Sequence, residues 1–250
     1  MLSKGDIKYI KALNQKKFRQ ERQEFIIEGK KMVAELLATP GPFVIKRLFL
    51  QEGVLETPKD LEVEYVTATE MDRISLQYTP SGALAVVGIP DIKPAVPQKG
   101  DIYLALEGVQ DPGNFGTILR LADWFNIAAV YASPDCVELY NPKTVQSTMG
   151  AILRVPVYYT SLENLLEETQ LPVSGTVLQG GTDINTLSLP SEGIIVMGNE
   201  SRGISPALLE YIQTRLYIPA YREGSESLNV AIAAAIVCAA FRRNLPPLPR

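Results

Sequence analysis

The chain has 250 residues, 46% hydrophobic and 21% charged, enough apolar mass for one large domain or two small ones with a real core. It contains no histidine, which removes Ser-His-Asp and Cys-His nucleophilic chemistry and histidine-based metal sites and gives no reason to expect a metal. The net charge of −4 argues against nucleic acid as a partner, but the charges are unevenly distributed.

Met1-Leu2-Ser3-Lys4-Gly5-Asp6 has none of the features of a signal peptide. Ser3 with Asp6 forms a capping-box pattern ahead of a short helical stripe, Ile7, Ile10 and Leu13. Residues 1–31 hold nine Lys or Arg against four acids. Lys16, Lys17 and Arg19 stand within this basic arm. It reads either as a phosphate-contacting surface or as a solvated face. Phe25-Ile26-Ile27 predicts a strand, ended by Glu28-Gly29. Met32, Val33, Leu36 and Leu37 predict a helix that stops at Pro40-Gly41-Pro42. Strands follow at 44–50, 63–66 and 83–89, with a short helix near 69–75. The alternation predicts a small α/β domain over 1–92.

Pro90, Pro94 and Pro97 with Lys93 and Lys99 make a stiff polar connector, placed at 93–100. A second α/β domain is expected over 101–250. Its strands fall at about 102–106, 128–132, 173–178, 193–197 and 215–218. Its helices fall at about 115–125, 142–151, 161–168, 205–213 and 228–243. That alternation predicts a parallel sheet with helices on both faces. The apolar run 228–241 is too short and alanine-rich to span a membrane. Cys136 and Cys238 are far apart in sequence and read as buried free thiols of a reducing, cytoplasmic protein.

Three turns rich in glycine or amides follow strands in this second domain. The first runs Glu107-Gly108-Val109-Gln110-Asp111-Pro112-Gly113-Asn114-Phe115-Gly116-Thr117-Ile118-Leu119-Arg120, from a buried strand into a helix. The second is Met197-Gly198-Asn199-Glu200-Ser201-Arg202-Gly203. The third is Ile218-Pro219-Ala220-Tyr221-Arg222-Glu223-Gly224-Ser225-Glu226-Ser227-Leu228-Asn229. Taken singly, each has a plain structural reading. The glycines make turns, Ser227 and Asn229 cap the last helix, Glu200 is a surface acid, and Arg120 is a solvated helix residue. Taken together, they are expected on one edge, at the strand C-termini where open α/β sheets hold ligands. No Gly-x-Gly-x-x-Gly opens a helix and no Walker loop is present, which disfavours a dinucleotide or P-loop fold.

Asn114-Phe115-Gly116-Thr117-Ile118-Leu119-Arg120, Gly198-Asn199-Glu200-Ser201-Arg202-Gly203 and Ser227-Leu228-Asn229-Val230 resemble, in order, the three motifs of the SpoU/TrmH family of SPOUT-class RNA 2′-O-ribose methyltransferases. Asn141-Pro142-Lys143 through Ser147-Thr148-Met149-Gly150-Ala151 resembles that family's intervening helix. The first hundred residues are similar to its small substrate-binding domain, which is like ribosomal protein L30e. The resemblance implies a C-terminal trefoil knot and a homodimer. It also implies S-adenosylmethionine held largely by backbone near Gly180, Gly198, Ile218 and Leu228. The family's catalytic pattern carries over to Asn114, Arg120, Glu200, Ser227 and Asn229. The partner implied is structured RNA, ribosomal rather than transfer, brought in by the N-terminal domain and by Lys16, Lys17 and Arg19.

The implied reaction moves a methyl group in line from a sulfonium to a ribose 2′-oxygen, so the protein chiefly aligns the reactants and manages one proton. Two roles stay open for Arg120: a base once deprotonated, or a cation that stabilises alkoxide and grips the adjacent phosphate. Three rival readings also stay open. One is an RNA-binding ribosome-assembly factor without methyl transfer, another is a transfer-RNA ribose methyltransferase, and the third is a SPOUT enzyme acting on a base.

Overall fold

The computed structural model describes residues 2–39, 41–58, 61–222 and 227–243. Part of the third turn, Glu223 to Glu226, therefore lies outside the described residues, as does Pro40. Contacts divide the chain into two units. The first comprises Met1–Asp91 and Glu138–Leu153, and the second Ile92–Val137 and Arg154–Arg250.

In the first unit, Ser3 and Asp6 close the expected capping box on α1 (Lys4–Ala12), and Ile10 and Leu13 are fully buried. A helix not expected from the sequence, α2 (Lys16–Arg22), occupies the basic segment. Its residues are good helix formers, but charge all round leaves no apolar period to read. It ends at Gln23, in the left-handed conformation at φ 55°. Then come β1 (Glu24–Glu28), α3 (Lys30–Ala38), β2 (Val44–Leu50), β3 (Glu64–Tyr65), α4 (Ala68–Ile74) and β4 (Ala83–Gly88). The sheet order is β1-β4-β2-β3, with β4 antiparallel to both β1 and β2 and with β3 parallel to β2.

Within the span expected as the second domain, 101–250, the segment Glu138–Leu153 packs with the first unit. Glu138 pairs there with buried Arg19, and the Tyr140 ring packs tilted against Phe25 at 4.6 Å between ring centroids. The helix expected at 142–151 is also shorter, α6 (Pro142–Ser147), followed by a 3-10 turn at Ala151–Leu153. Positive φ at Met149 and Gly150 separates the two.

The second unit contains β5 (Ile102–Leu106), α5 (Pro112–Trp124), β6 (Ala129–Ala132), β7 (Val157–Tyr159), α7 (Leu162–Glu168), β8 (Val173–Thr176), β9 (Thr182–Asp183), β10 (Gly193–Met197), α8 (Pro206–Leu209), β11 (Thr214–Tyr217) and α9 (Val230–Arg242). Among the described residues the sheet runs β7-β6-β5-β10-β8-β11-β9, every pair parallel. The two outermost strands, β7 and β9, were not expected. At three and two residues they are too short to show a pattern.

Burial on both faces explains the unbroken apolar strands Ile102–Leu106 and Gly193–Met197. Tyr103, Ala105, Tyr131 and Val196 pack on one face with Leu162 and Leu166 of α7 and Leu208 of α8. Leu104, Leu106, Val130 and Ile195 alternate with them and are fully buried. Helix α5 packs on β6 and on α9.

Candidate active site

The strands β5, β10, β8 and β11 are neighbours and parallel, so their C-terminal ends share one edge. The turns that follow them carry Asp111–Asn114, Gly198–Gly203, Gly180 and Ile218. Sequence positions more than a hundred residues apart therefore arrive at one margin of the sheet, where open parallel sheets place ligands.

The first turn is tightly pinned. Asn199 donates from Nδ2 to the Gly108 carbonyl at 2.7 Å. The Gly108 N–H donates to Ser133 Oγ at 2.9 Å, and the Val109 N–H points at Cys136 Sγ. Glu107 Oε2 accepts from the Ser205 N–H at 2.8 Å, tying the first turn to the end of the second. Burial raises the Cys136 thiol and pushes Cys238 up to about 12; both are buried and unbridged. These supports, Asn199, Ser133, Cys136 and Glu107, were missed as candidates. Asn199 and Glu107 sat inside the turn motifs, whereas nothing local marked Ser133 or Cys136.

The second turn folds back on itself. Asn199 and Gly203 exchange backbone hydrogen bonds of 3.0 and 2.9 Å. A Cβ at Gly198 would lie 2.3 Å from the Gly203 carbonyl carbon, so only glycine fits there. Asn199 Oδ1 accepts from the N–H groups of Ser201 and Arg202, which presents Glu200 at the rim, half-buried.

Asp111 caps α5, accepting from the Asn114 N–H at 2.8 Å, with Pro112 in the first turn of the helix. Asn229 caps α9, its Oδ1 accepting from Ala231 and Ile232. The same side chain donates from Nδ2 to Asn114 Oδ1 at 2.9 Å. Asn114 in turn donates from Nδ2 to Glu200 Oε1 at 3.1 Å. Asn114, Glu200 and Asn229 thus form one hydrogen-bonded chain drawn from all three turns.

Arg120 is exposed on α5, six residues beyond Asn114 and roughly 9 Å along the axis. No ion pair or hydrogen bond engages it among the described residues. Ser227 is exposed, two residues before the cap of α9. Gly180 is exposed at φ +72°, Ile218 is half-buried, and Leu228 is 47% exposed. Lys16 and Lys17 are exposed in the first unit.

Arg19 is the exception and requires correction. It is 1% exposed, forks onto both Glu138 oxygens at 3.1 and 2.6 Å, and donates to the carbonyls of Leu13 and Asn14. With four of its five N–H donors engaged inside the unit and its side chain buried, it is not presented to a phosphate.

The edge suits a nucleoside-bearing group such as S-adenosylmethionine. Turns after three adjacent strands, β10, β8 and β11, offer backbone groups, and Gly198 lets the main chain approach closely.

The family model described as the SpoU rRNA Methylase family matches residues 101–239. A model described as the MRM3-like substrate binding domain matches residues 4–85. The chain is 34% identical over 238 residues to the Bacillus subtilis 23S rRNA (guanosine(2553)-2′-O)-methyltransferase RlmP, covering 92% of this chain and 93% of that one. It is 30% identical over 229 residues to the Neisseria meningitidis 23S rRNA (guanosine-2′-O-)-methyltransferase RlmB, covering 82% and 89%. A solved structure of an AdoMet-bound rRNA methyltransferase from Sinorhizobium meliloti superposes with a TM-score of 0.85 at 27% identity, over 99% of this chain and 97% of that one.

Proposed function

The chain belongs to the SpoU rRNA methylase family, and on that premise we propose that it methylates a ribose 2′-hydroxyl of ribosomal RNA. It is a methyltransferase, and S-adenosylmethionine is its cofactor. When bound, that cofactor supplies an activated methyl group on a sulfonium. The rest of the task falls to the protein: holding the ribose in line, managing the hydroxyl proton and excluding water.

The observation that carries the proposal is the run from Asn229 through Asn114 to Glu200. An amide has two N–H donors and an oxygen with two lone pairs. Asn114 spends one donor on Glu200 and one lone pair on Asn229, so a second N–H remains to orient a nucleotide. Glu200 keeps a second oxygen for a ribose hydroxyl or for Arg120. Arg120, a permanent cation on the same helix as Asn114, would stabilise a developing alkoxide or grip a neighbouring phosphate; acting as base would require it to lose its proton first. Ser227 shapes the pocket wall. Gly180, Gly198, Ile218 and Leu228 hold the cofactor, chiefly through the main chain.

Ribosomal RNA is favoured over transfer RNA by the match of residues 4–85 to a substrate-binding domain and by the 23S activities named for two relatives. Lys16 and Lys17 lie in the unit that would bring the RNA in. Homodimerisation and a C-terminal trefoil knot belong to the same proposal. A second copy would cover Ile232 and Ile236, one turn apart on α9 and 54% and 37% exposed, and Trp124, 77% exposed at the end of α5. No described helix is long and apolar enough to cross a membrane, and we place the protein in the cytoplasm, with ribosomal RNA.

Mapping 2′-O-methyl marks in RNA from cells lacking the protein tests the reading. One ribosomal mark should vanish, return with the wild-type chain and stay absent with Arg120→Ala. An unchanged methylation map would overturn the proposal, and a mark lost from transfer RNA would overturn the choice of substrate.

A further inference from the structure

The first unit contains a cavity of about 270 Å³ that no step of the methyl transfer uses. Its polar lining comes from Asn14, Glu28, Gln77, Asn141, Lys143 and Gln146, so it joins β1 to the Glu138–Leu153 segment. Ile26 and Val145 supply apolar wall, of the kind a flat ring can rest on.

Glu28 is buried, and each of its oxygens already accepts one hydrogen bond. The Ser75 hydroxyl donates to Oε1 and the Leu76 N–H donates to Oε2 at 3.0 Å. These two bonds fix the carboxylate in one orientation and leave each oxygen a further lone pair. Two parallel acceptors fit two parallel donors. Among the unpaired RNA bases only guanine offers these on its Watson–Crick edge, as N1–H and N2–H. Adenine sets one donor beside one acceptor there, cytosine one donor beside two acceptors, and uracil one donor between two acceptors. The side chains of Asn14 and Gln146 hold no hydrogen bond among the described residues and can read the remaining edge.

The surroundings also suit single-stranded RNA. Tyr78, next to Gln77, is fully exposed and offers a stacking face. Lys143 stands at the cavity, and Lys16 and Lys17 are exposed two and three residues beyond Asn14. We propose that this cavity takes one unpaired guanine of the RNA substrate, its Watson–Crick edge against Glu28. The proposal rests on the RNA-methyltransferase reading for the identity of the polymer and adds where and how one base is recognised.

Fluorescence anisotropy of the full chain with labelled ten-residue oligouridylates tests it, the central residue being uridine, adenosine, cytidine or guanosine. The guanosine oligomer should bind about tenfold or more tighter than the other three. Gln146→Ala and Asn14→Ala should each cut that preference several-fold without moving Tm or the affinity for the all-uridine oligomer. Gln146→Trp, which fills the cavity from an exposed position, should abolish the preference, as should Glu28→Gln if it folds. Equal binding of all four oligomers, or a guanosine preference that survives Gln146→Trp, would overturn the proposal. Calorimetric titration of the same preparation with S-adenosylmethionine separates the two readings. Uptake without guanosine preference removes the cavity alone, whereas no uptake removes the methyltransferase reading and leaves the anisotropy result to decide the cavity.

Discussion

Asn229 donates a hydrogen bond to Asn114 across 115 residues of sequence, and the direction of that bond is fixed. Asn229 Oδ1 faces two backbone N–H groups at the start of α9 and must be the acceptor. Its Nδ2 therefore points to Asn114, whose oxygen accepts and whose Nδ2 must turn to Glu200. A helix cap thus sets the polarity of the whole candidate site. The oxygen of the Asn229 amide caps the helix, and its nitrogen joins the candidate site.

Asn229→Asp tests this polarity. A carboxylate still caps the helix and suits its positive N-terminal end, so Tm should stay close to wild type. Asn114 can no longer satisfy both neighbours, because either orientation of its amide sets oxygen against a carboxylate. Methyl transfer should fall at least about tenfold. Adding Glu200→Gln lets the chain run in reverse, and the double variant should recover about 1 kcal/mol relative to additivity in a thermal double-mutant cycle. Strict additivity would show that the three side chains do not act as a unit.

Arg120→Ala should abolish methyl transfer, measured with tritiated S-adenosylmethionine, while the calorimetric affinity for the cofactor stays within about twofold of wild type. Arg120 makes no described contact whose loss would disturb the fold. Full turnover would remove it from the mechanism. Arg120→Lys separates its two possible roles. Retained activity assigns it simple positive charge, and loss assigns it the planar fork.

The sequence made legible what depends on local chemistry. The apolar strands β5 and β10, the capping box at Ser3 and Asp6, and the three turn motifs could all be read directly. Features set by distant partners could not. Helix α2 hid because its charge leaves no periodicity, and the partner that buries Arg19, Glu138, lies 119 residues away. The Glu138–Leu153 segment follows a strand of the second unit in sequence, and nothing local says that Tyr140 will pack against Phe25. Ser133 and Cys136 became site supports only because β6 pairs beside β5. Local propensity cannot encode such pairings.

The buried pair of Arg19 and Glu138 should matter for stability and not for RNA contact. Arg19→Ala leaves a largely buried carboxylate and two backbone carbonyls without their donors, a loss of about 3–5 kcal/mol in urea denaturation. Arg19→Lys should restore only part of this, since an ammonium cannot span both oxygens. A loss below about 1 kcal/mol for the alanine variant would show that the pair is solvated in solution.

Lys16 and Lys17, by contrast, are exposed and should act through phosphate. Reversing both to Glu should weaken RNA binding and reduce the slope of log K against log salt by about 1.4 or more, two contacts at roughly 0.7 each on single strands. Tm should change little. An unaltered slope would confine the RNA to other surfaces of the chain.

Acid should weaken the first unit through Asp6. The Ser3 hydroxyl, then the Arg47 guanidinium, hold its carboxyl at about 2, below the usual aspartate value. In the unfolded chain Asp6 takes up its proton near pH 4, so the unfolded state binds more protons throughout the interval between. The stabilisation is complete above about pH 4 and is lost as pH falls through about 2. Asp6→Asn removes that dependence. The Tm gap between wild type and variant, followed by circular dichroism from pH 6 to pH 2, should be constant down to about pH 4 and then close. Glu70, held low by its own capping box and by the Leu2 N–H, titrates in the same range but is common to both chains and cancels in the difference. A gap that stays constant to pH 2 would mean that the Ser3–Asp6–Arg47 cluster does not form in solution.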